Sequence, residues 1–174
     1  VQKQLYTAVA PLRRADLPLR WTRPEALHLT LKFLGETAPE ALDDITRVIS
    51  EAAALTAPFT LRLHGTGAFP SLARPRVLWI GADPAPELLR LQAEMGHALE
   101  PLGFAPEPGP FRPHLTLGRV RRGAERSAEL RRLPELLSGV RFEAALPVPS
   151  LELMRSHLAP EGSRYEVVQA FPLG

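Results

Sequence analysis

The tetrapeptide His-Leu-Thr-Leu occurs twice in this chain, at His28-Leu29-Thr30-Leu31 and at His114-Leu115-Thr116-Leu117. Imidazole changes charge near neutral pH, so one ring serves as base while a second serves as acid. A threonine hydroxyl two residues on donates to oxygens where charge builds in a transition state. Two such pairs suit acid-base chemistry at a phosphate and require neither a metal nor a covalent intermediate. A lone His-x-Thr is noise. Two identical copies, 86 residues apart in a chain of 174, are a pattern. Two plainer readings stand beside it. Each histidine suits an ordinary half-buried strand position, and histidines on paired strands also chelate zinc. The zinc reading lacks a third ligand: the chain has no cysteine, and no carboxylate sits at a fixed spacing.

The elements that position these residues follow from periodicity. Alternation predicts strands over 3–9, 27–34, 59–66, 76–81 and 112–119, and again over 141–154 and 163–170. Helical spacing predicts helices over 40–55, 86–101 and 124–137, the last weakened by Pro134. Pro147 and Pro149 bend strand 141–154 or put it at an edge. In a strand, side chains alternate faces. Leu29, Leu31 and Phe33 then face a core, and His28, Thr30 and Lys32 face away. Likewise Leu115 and Leu117 face inward, and Arg112, His114 and Thr116 outward.

Strand, helix, strand, strand is the order from 27 to 81 and again from 112 to 170. The expected fold is therefore α+β and bilobal, residues 1–174 forming one domain of two duplicated units. Each unit buries its helix on one face of an antiparallel sheet, with the open faces meeting at a central cleft. Each lobe then supplies one histidine and one threonine. The alternative is one mixed sheet with helices on one side.

Composition narrows the class. The chain carries no cysteine, which excludes a disulfide scaffold, a thiolate zinc site and a cysteine nucleophile. It shows no apolar run long enough to span a membrane and no signal-peptide core, so a cytoplasmic protein is expected. Net charge is only +2, but 19 of its 21 basic residues are arginine. Arginine forks around phosphate, although Ala, Leu and Pro are also abundant here.

The paired motif and its flanks resemble the two-histidine phosphoesterase superfamily. Within it they are similar to the bacterial and archaeal RNA 2′,3′-cyclic phosphodiesterases, historically called 2′-5′ RNA ligases. The first HXTX motif lies in Leu27-His28-Leu29-Thr30-Leu31-Lys32-Phe33-Leu34-Gly35-Glu36. Phe69-Pro70 and Pro75-Arg76-Val77-Leu78-Trp79 match a middle block. Phe111-Arg112-Pro113-His114-Leu115-Thr116-Leu117-Gly118-Arg119 matches the second motif. Leu151, Leu153, Ser156, Leu158 and Tyr165 match a C-terminal block.

The resemblance implies a pseudo-twofold bilobal fold and hydrolysis of a terminal 2′,3′-cyclic phosphate on RNA to a 2′-phosphate. It makes His114 the base on water and His28 the acid on the departing 3′ oxygen. Thr30 and Thr116 hold phosphate oxygens, with no cofactor and no metal. Ligation to a 2′-5′ linkage is the minor reverse reaction. Arg112 and Lys32 are the candidates for a further phosphate contact. Gly118, where relatives often carry Ala, is a departure without expected consequence. The expected partner is RNA with a cyclic-phosphate end, and the expected state is a monomer. Two other functions use the same residues: a non-catalytic module binding nucleotides or RNA ends, and a sister enzyme for a small cyclic phosphate or a 2′-5′ oligoadenylate.

His64, His97 and His157 lack a partner pattern and read as structural or exposed. Trp21 is the best candidate for stacking a base at the cleft rim, ahead of Tyr165, while Phe33 and Trp79 read as core. Arg119, Arg121 and Arg122, with Arg131 and Arg132, suit either an RNA backbone or a solvated face.

Overall fold

The computed structural model describes residues 1–157 and 164–174. Leu158 of the C-terminal block and residue 163, where the last expected strand begins, lie outside the described residues. Helices α1 (Gln2–Ala8) and α2 (Ala10–Arg14) come first, where a strand was expected over 3–9. Leu5, Thr7 and Val9 alternate as a strand would. Leu5, Val9 and Leu12 are also four and three residues apart, and it is this helical set that is buried. Strand β1 (Leu19–Trp21) is too short to register as a pattern.

Residues 27–34 do not form the expected strand. Among the described residues, one bridge, Leu29 to Leu115, is the pairing they make. The alternation then fails: Leu31 and Leu34 pack against apolar side chains, but Phe33, expected in the core, is 63% exposed. Helix α3 (Leu42–Ala54) matches its expectation, burying Ile45, Val48, Ile49, Ala52 and Ala53 along one stripe. Asp43 and Asp44 sit in its first turn, where the helix dipole favours negative charge.

Strands β2 (Phe59–Ser71) and β3 (Arg74–Ala82) form a hairpin. Its register shifts between His64 and Thr66, where Gly65 takes φ +67° and lets the strand bulge. Helix α4 (Pro86–Leu99) buries Leu88, Leu91, Met95 and Leu99. After a further short turn the chain reverses at Gly103, φ +92°. Strand β4 (His114–Val120) carries the second motif. The helix expected over 124–137 is a 3-10 turn, Ala128–Arg132, followed by α5 (Leu133–Ser138). Pro134 is the second residue of that helix, in the first turn, where its missing N–H costs nothing. The strand expected over 141–154 is two strands, β5 (Glu143–Val148) and β6 (Ser150–His157), with Pro149 between them, and β7 (Arg164–Pro172) pairs with β6.

This is an α+β fold with two sheets, in place of the alternative single mixed sheet. The larger has the order β1-β4-β3-β2-β5, and the smaller is the β6–β7 hairpin. The β1/β4, β4/β3 and β3/β2 pairs are all antiparallel.

The compact units do not coincide with the two sequence copies. Unit 1 is Val1–Leu29, Arg62–Asp83 and Pro113–Leu146; unit 2 is Thr30–Leu61, Pro84–Arg112 and Pro147–Gly174. Each therefore takes chain from both copies. Unit 1 has its own core, which includes Leu5, Leu12, Leu63, Ile80, Leu115 and Leu133. Unit 2 has another, which includes Ile45, Leu91, Leu99, Leu153 and Phe171.

Candidate active site

Both histidines belong to unit 1. This corrects the expectation of one histidine per lobe. The cause is the Leu29–Leu115 bridge, which is antiparallel. Leu115 lies in the core of unit 1, and Leu29 packs against that core. Alternation along β4 then turns His114 and Thr116 to the opposite side. The register carries His28 across from Thr116, which leaves His114 as its diagonal neighbour.

His28 follows the 3-10 turn Pro24–Ala26 and is half-buried. Its Nδ1 lies 2.8 Å from the Ala26 carbonyl oxygen. A carbonyl only accepts, so this bond requires the proton on Nδ1. His114 begins β4 and is also half-buried. Opposite it on β3 stands Gly81, which presents no side chain. Phe69 meets the His114 ring edge to face, with centroids 4.9 Å apart and planes at 80°. Thr116 is half-buried and pairs across the sheet with Trp79.

The other expected site residues belong to unit 2. Thr30 is its first residue and is half-buried. The Lys32 ammonium donates to the Ala105 carbonyl, and the neighbouring Phe33 amide donates to Glu107 Oε1 at 3.1 Å. Lys32 thus commits one of its three N–H donors to the backbone. Arg112 ends the middle segment of unit 2 and is exposed.

The remaining histidines are structural or exposed, as expected. His64 pairs with Asp83, and Arg62 joins Asp83 to Glu143 at 3.8 and 2.7 Å. The Arg62 guanidinium, by its hydrogen bond and its charge, holds the Glu143 carboxyl below the usual carboxylate range. His157 lies 3.1 Å from Glu166, and His97 is exposed on α4. Trp21 does not stand clear as a stacking surface. It packs partly against the unit 1 core, with the Arg13 guanidinium 5.8 Å over its ring. The same guanidinium lies 4.9 Å over Tyr6, whose hydroxyl donates to the Thr22 carbonyl. Burial pushes the Tyr6 phenol up, against the opposing pull of Arg13. Arg119, Arg121, Arg122, Arg131 and Arg132 are all exposed.

Sequence reasoning missed two residues of the His114 surroundings. Phe69 counted only as a block match, and Trp79 was read as core. The signal lay in parity: Leu78 and Ile80 are buried, so Trp79 between them takes the other face, with Thr116.

Among the described residues no helix is long and apolar enough to cross a membrane. The family model of the 2′-5′ RNA ligase superfamily matches residues 1–159. A Thermus thermophilus protein named RNA 2′,3′-cyclic phosphodiesterase is 40% identical over 157 residues, covering 86% of this chain and 73% of its own. A solved structure from Thermus thermophilus superposes with a TM-score of 0.76 at 32% identity, over 97% of this chain and 92% of that one. Escherichia coli LigT, solved with 3′-AMP, gives a TM-score of 0.75 at 25% identity, over 99% and 90%. Motif, fold and relatives agree, and the chain belongs to the 2′-5′ RNA ligase superfamily.

Proposed function

We propose that this enzyme opens the 2′,3′-cyclic phosphate at the end of an RNA and leaves a 2′-phosphomonoester. One observation supports the reading: the Leu29–Leu115 bridge joins the two motifs, and His28 and His114, each one residue before a bridged leucine, belong to one unit. His114 takes a proton from water as the water oxygen bonds to phosphorus. The P–O3′ bond breaks opposite, and His28 delivers its proton to the 3′ oxygen. The proton taken equals the proton given, so one turnover leaves the pair with its protons exchanged and solvent restores them.

The hydroxyls of Thr30 and Thr116 donate to the non-bridging oxygens as their charge grows. Arg112 is a further phosphate contact, and Lys32 supplies its remaining N–H groups to the same end. In the reverse direction an RNA 5′-hydroxyl takes the place of water and a 2′-5′ linkage forms, as a minor reaction. We assign the enzyme to the cytoplasm, acting as a monomer.

The test uses an RNA ended with a 2′,3′-cyclic phosphate, in EDTA, with analysis of the product end group. The expected product is the 2′-phosphate, with a bell-shaped pH profile. His28→Ala and His114→Ala should each lower kcat by about 10²–10⁴-fold. Tight binding without turnover identifies a binding module instead. Activity near the wild-type rate in either variant refutes the two-histidine mechanism.

A further inference from the structure

We propose that Phe69 is a positioning residue for His114, itself seated by Trp79 lying across Gly67. Four observations converge on this chain of contacts, and all lie within unit 1. Phe69 meets the His114 imidazole edge to face at 4.9 Å and 80°. That geometry aligns the positive edge of one ring with the negative face of the other. On its other side Phe69 packs on Trp79, with centroids 5.2 Å apart and planes tilted by 36°.

Trp79 in turn lies over Gly67, its cross-strand partner on β2. A Cβ at position 67 would come within 2.3 Å of the Trp79 ring, so only glycine permits this seat. The indole Nε1 is buried and, among the described residues, makes no hydrogen bond.

His114 is the first residue of β4, and the position opposite it on β3 is Gly81. The aromatic wall from β2 and β3 limits the imidazole to the orientation in which it reaches the phosphate. A displacement on the order of 1 Å in such a group costs about 10²-fold in rate. This inference rests on His114 being catalytic, so its test carries one readout that needs no turnover.

The variants are Phe69→Leu, Phe69→Tyr and Gly67→Ala. Each is assayed on cyclic-phosphate-ended RNA and by NMR of the histidine ring Cε1–Hε1 signals. The chain has five histidines, and His114 is assigned by its loss in His114→Ala. Phe69→Leu should lower kcat about 10- to 100-fold with KM within about twofold, and should broaden the His114 signal, which loss of the ring current alone does not do, while the other four stay sharp. Phe69→Tyr keeps the ring and should restore both. Gly67→Ala dislodges Trp79 and should act in the same direction as Phe69→Leu.

An unchanged kcat in Phe69→Leu, a loss confined to KM, or no rescue by tyrosine would overturn the proposal. So would broadening of all five histidine signals, which marks general loosening. If the wild-type enzyme leaves the RNA untouched, the proposed reaction fails. The His114 signal in the Phe69 variants then still decides whether Phe69 holds the ring.

Discussion

At the residue scale, the two histidines are alike in sequence and unlike in setting. His28 hangs from a loop, its Nδ1 tied to Ala26. His114 stands at the start of a strand against Phe69. Their proposed roles differ too, and leaving-group chemistry separates them. A 2′,3′-cyclic phosphorothiolate with sulfur at the 3′ bridging position departs as a thiolate and needs no proton. On that substrate His28→Ala should lose less than about tenfold, while His114→Ala should keep its full defect. Equal losses in both variants would show that the acid and base assignments are wrong. The motif itself named the two imidazoles and the two hydroxyls. It gave no sign of the aromatic residues behind His114, because Phe69 lies 45 positions away and only the fold brings it near.

At the scale of elements, glycine positions carry much of the geometry. Gly118 of β4 pairs with Trp21 of β1, and a Cβ there would lie 2.9 Å from the Arg20 carbonyl oxygen. Alanine at this position is therefore not neutral in this chain, contrary to its expected tolerance. Gly118→Ala should destabilise the protein by about 1–3 kcal/mol, and amide exchange should rise first along Leu19–Trp21. Unchanged exchange in β1 would show that the strand simply shifts aside. Amphipathic elements were the legible part of the sequence. The stripes of α3 and α4 repeat over three turns or more, and the expected bounds missed by two residues at most. The short elements were not legible. Leu5, Thr7 and Val9 satisfy a strand and a helix alike, and packing around Leu12 decides between them. The motif segment 27–34 reads as a strand because it alternates, yet it makes one bridge and then passes into unit 2.

At the scale of the molecule, the sequence repeat and the folded units disagree. Each unit consists of three segments, so the backbone passes between them five times. Proline begins the new segment at Pro84, Pro113 and Pro147, where its fixed φ favours an extended exit. Local periodicity cannot reveal this interleaving, since each segment looks complete by itself. The contrast gives a direct test. If the sequence copies were independent, residues 1–87 and 88–174 would fold as separate proteins. The interleaved arrangement predicts that each half alone is unfolded by circular dichroism, because β3 would lack β4 and α4 would lack α3, against which it packs. A cooperative melt in either isolated half would contradict it.

The same arrangement has a consequence during synthesis. The β2–β3 hairpin is finished at Ala82, but β4 starts only at His114. At about 5–20 residues per second, β4 trails it by a few seconds. Through that interval the nascent chain shows the ribosome's surroundings one side of β3 as a bare template for any passing strand. The arrival of β4 closes that template, and the same event carries His114 to the bridge beside His28. A polypeptide that has escaped the hazard of mispairing has, by the same step, brought together the two motifs to which we assign its chemistry.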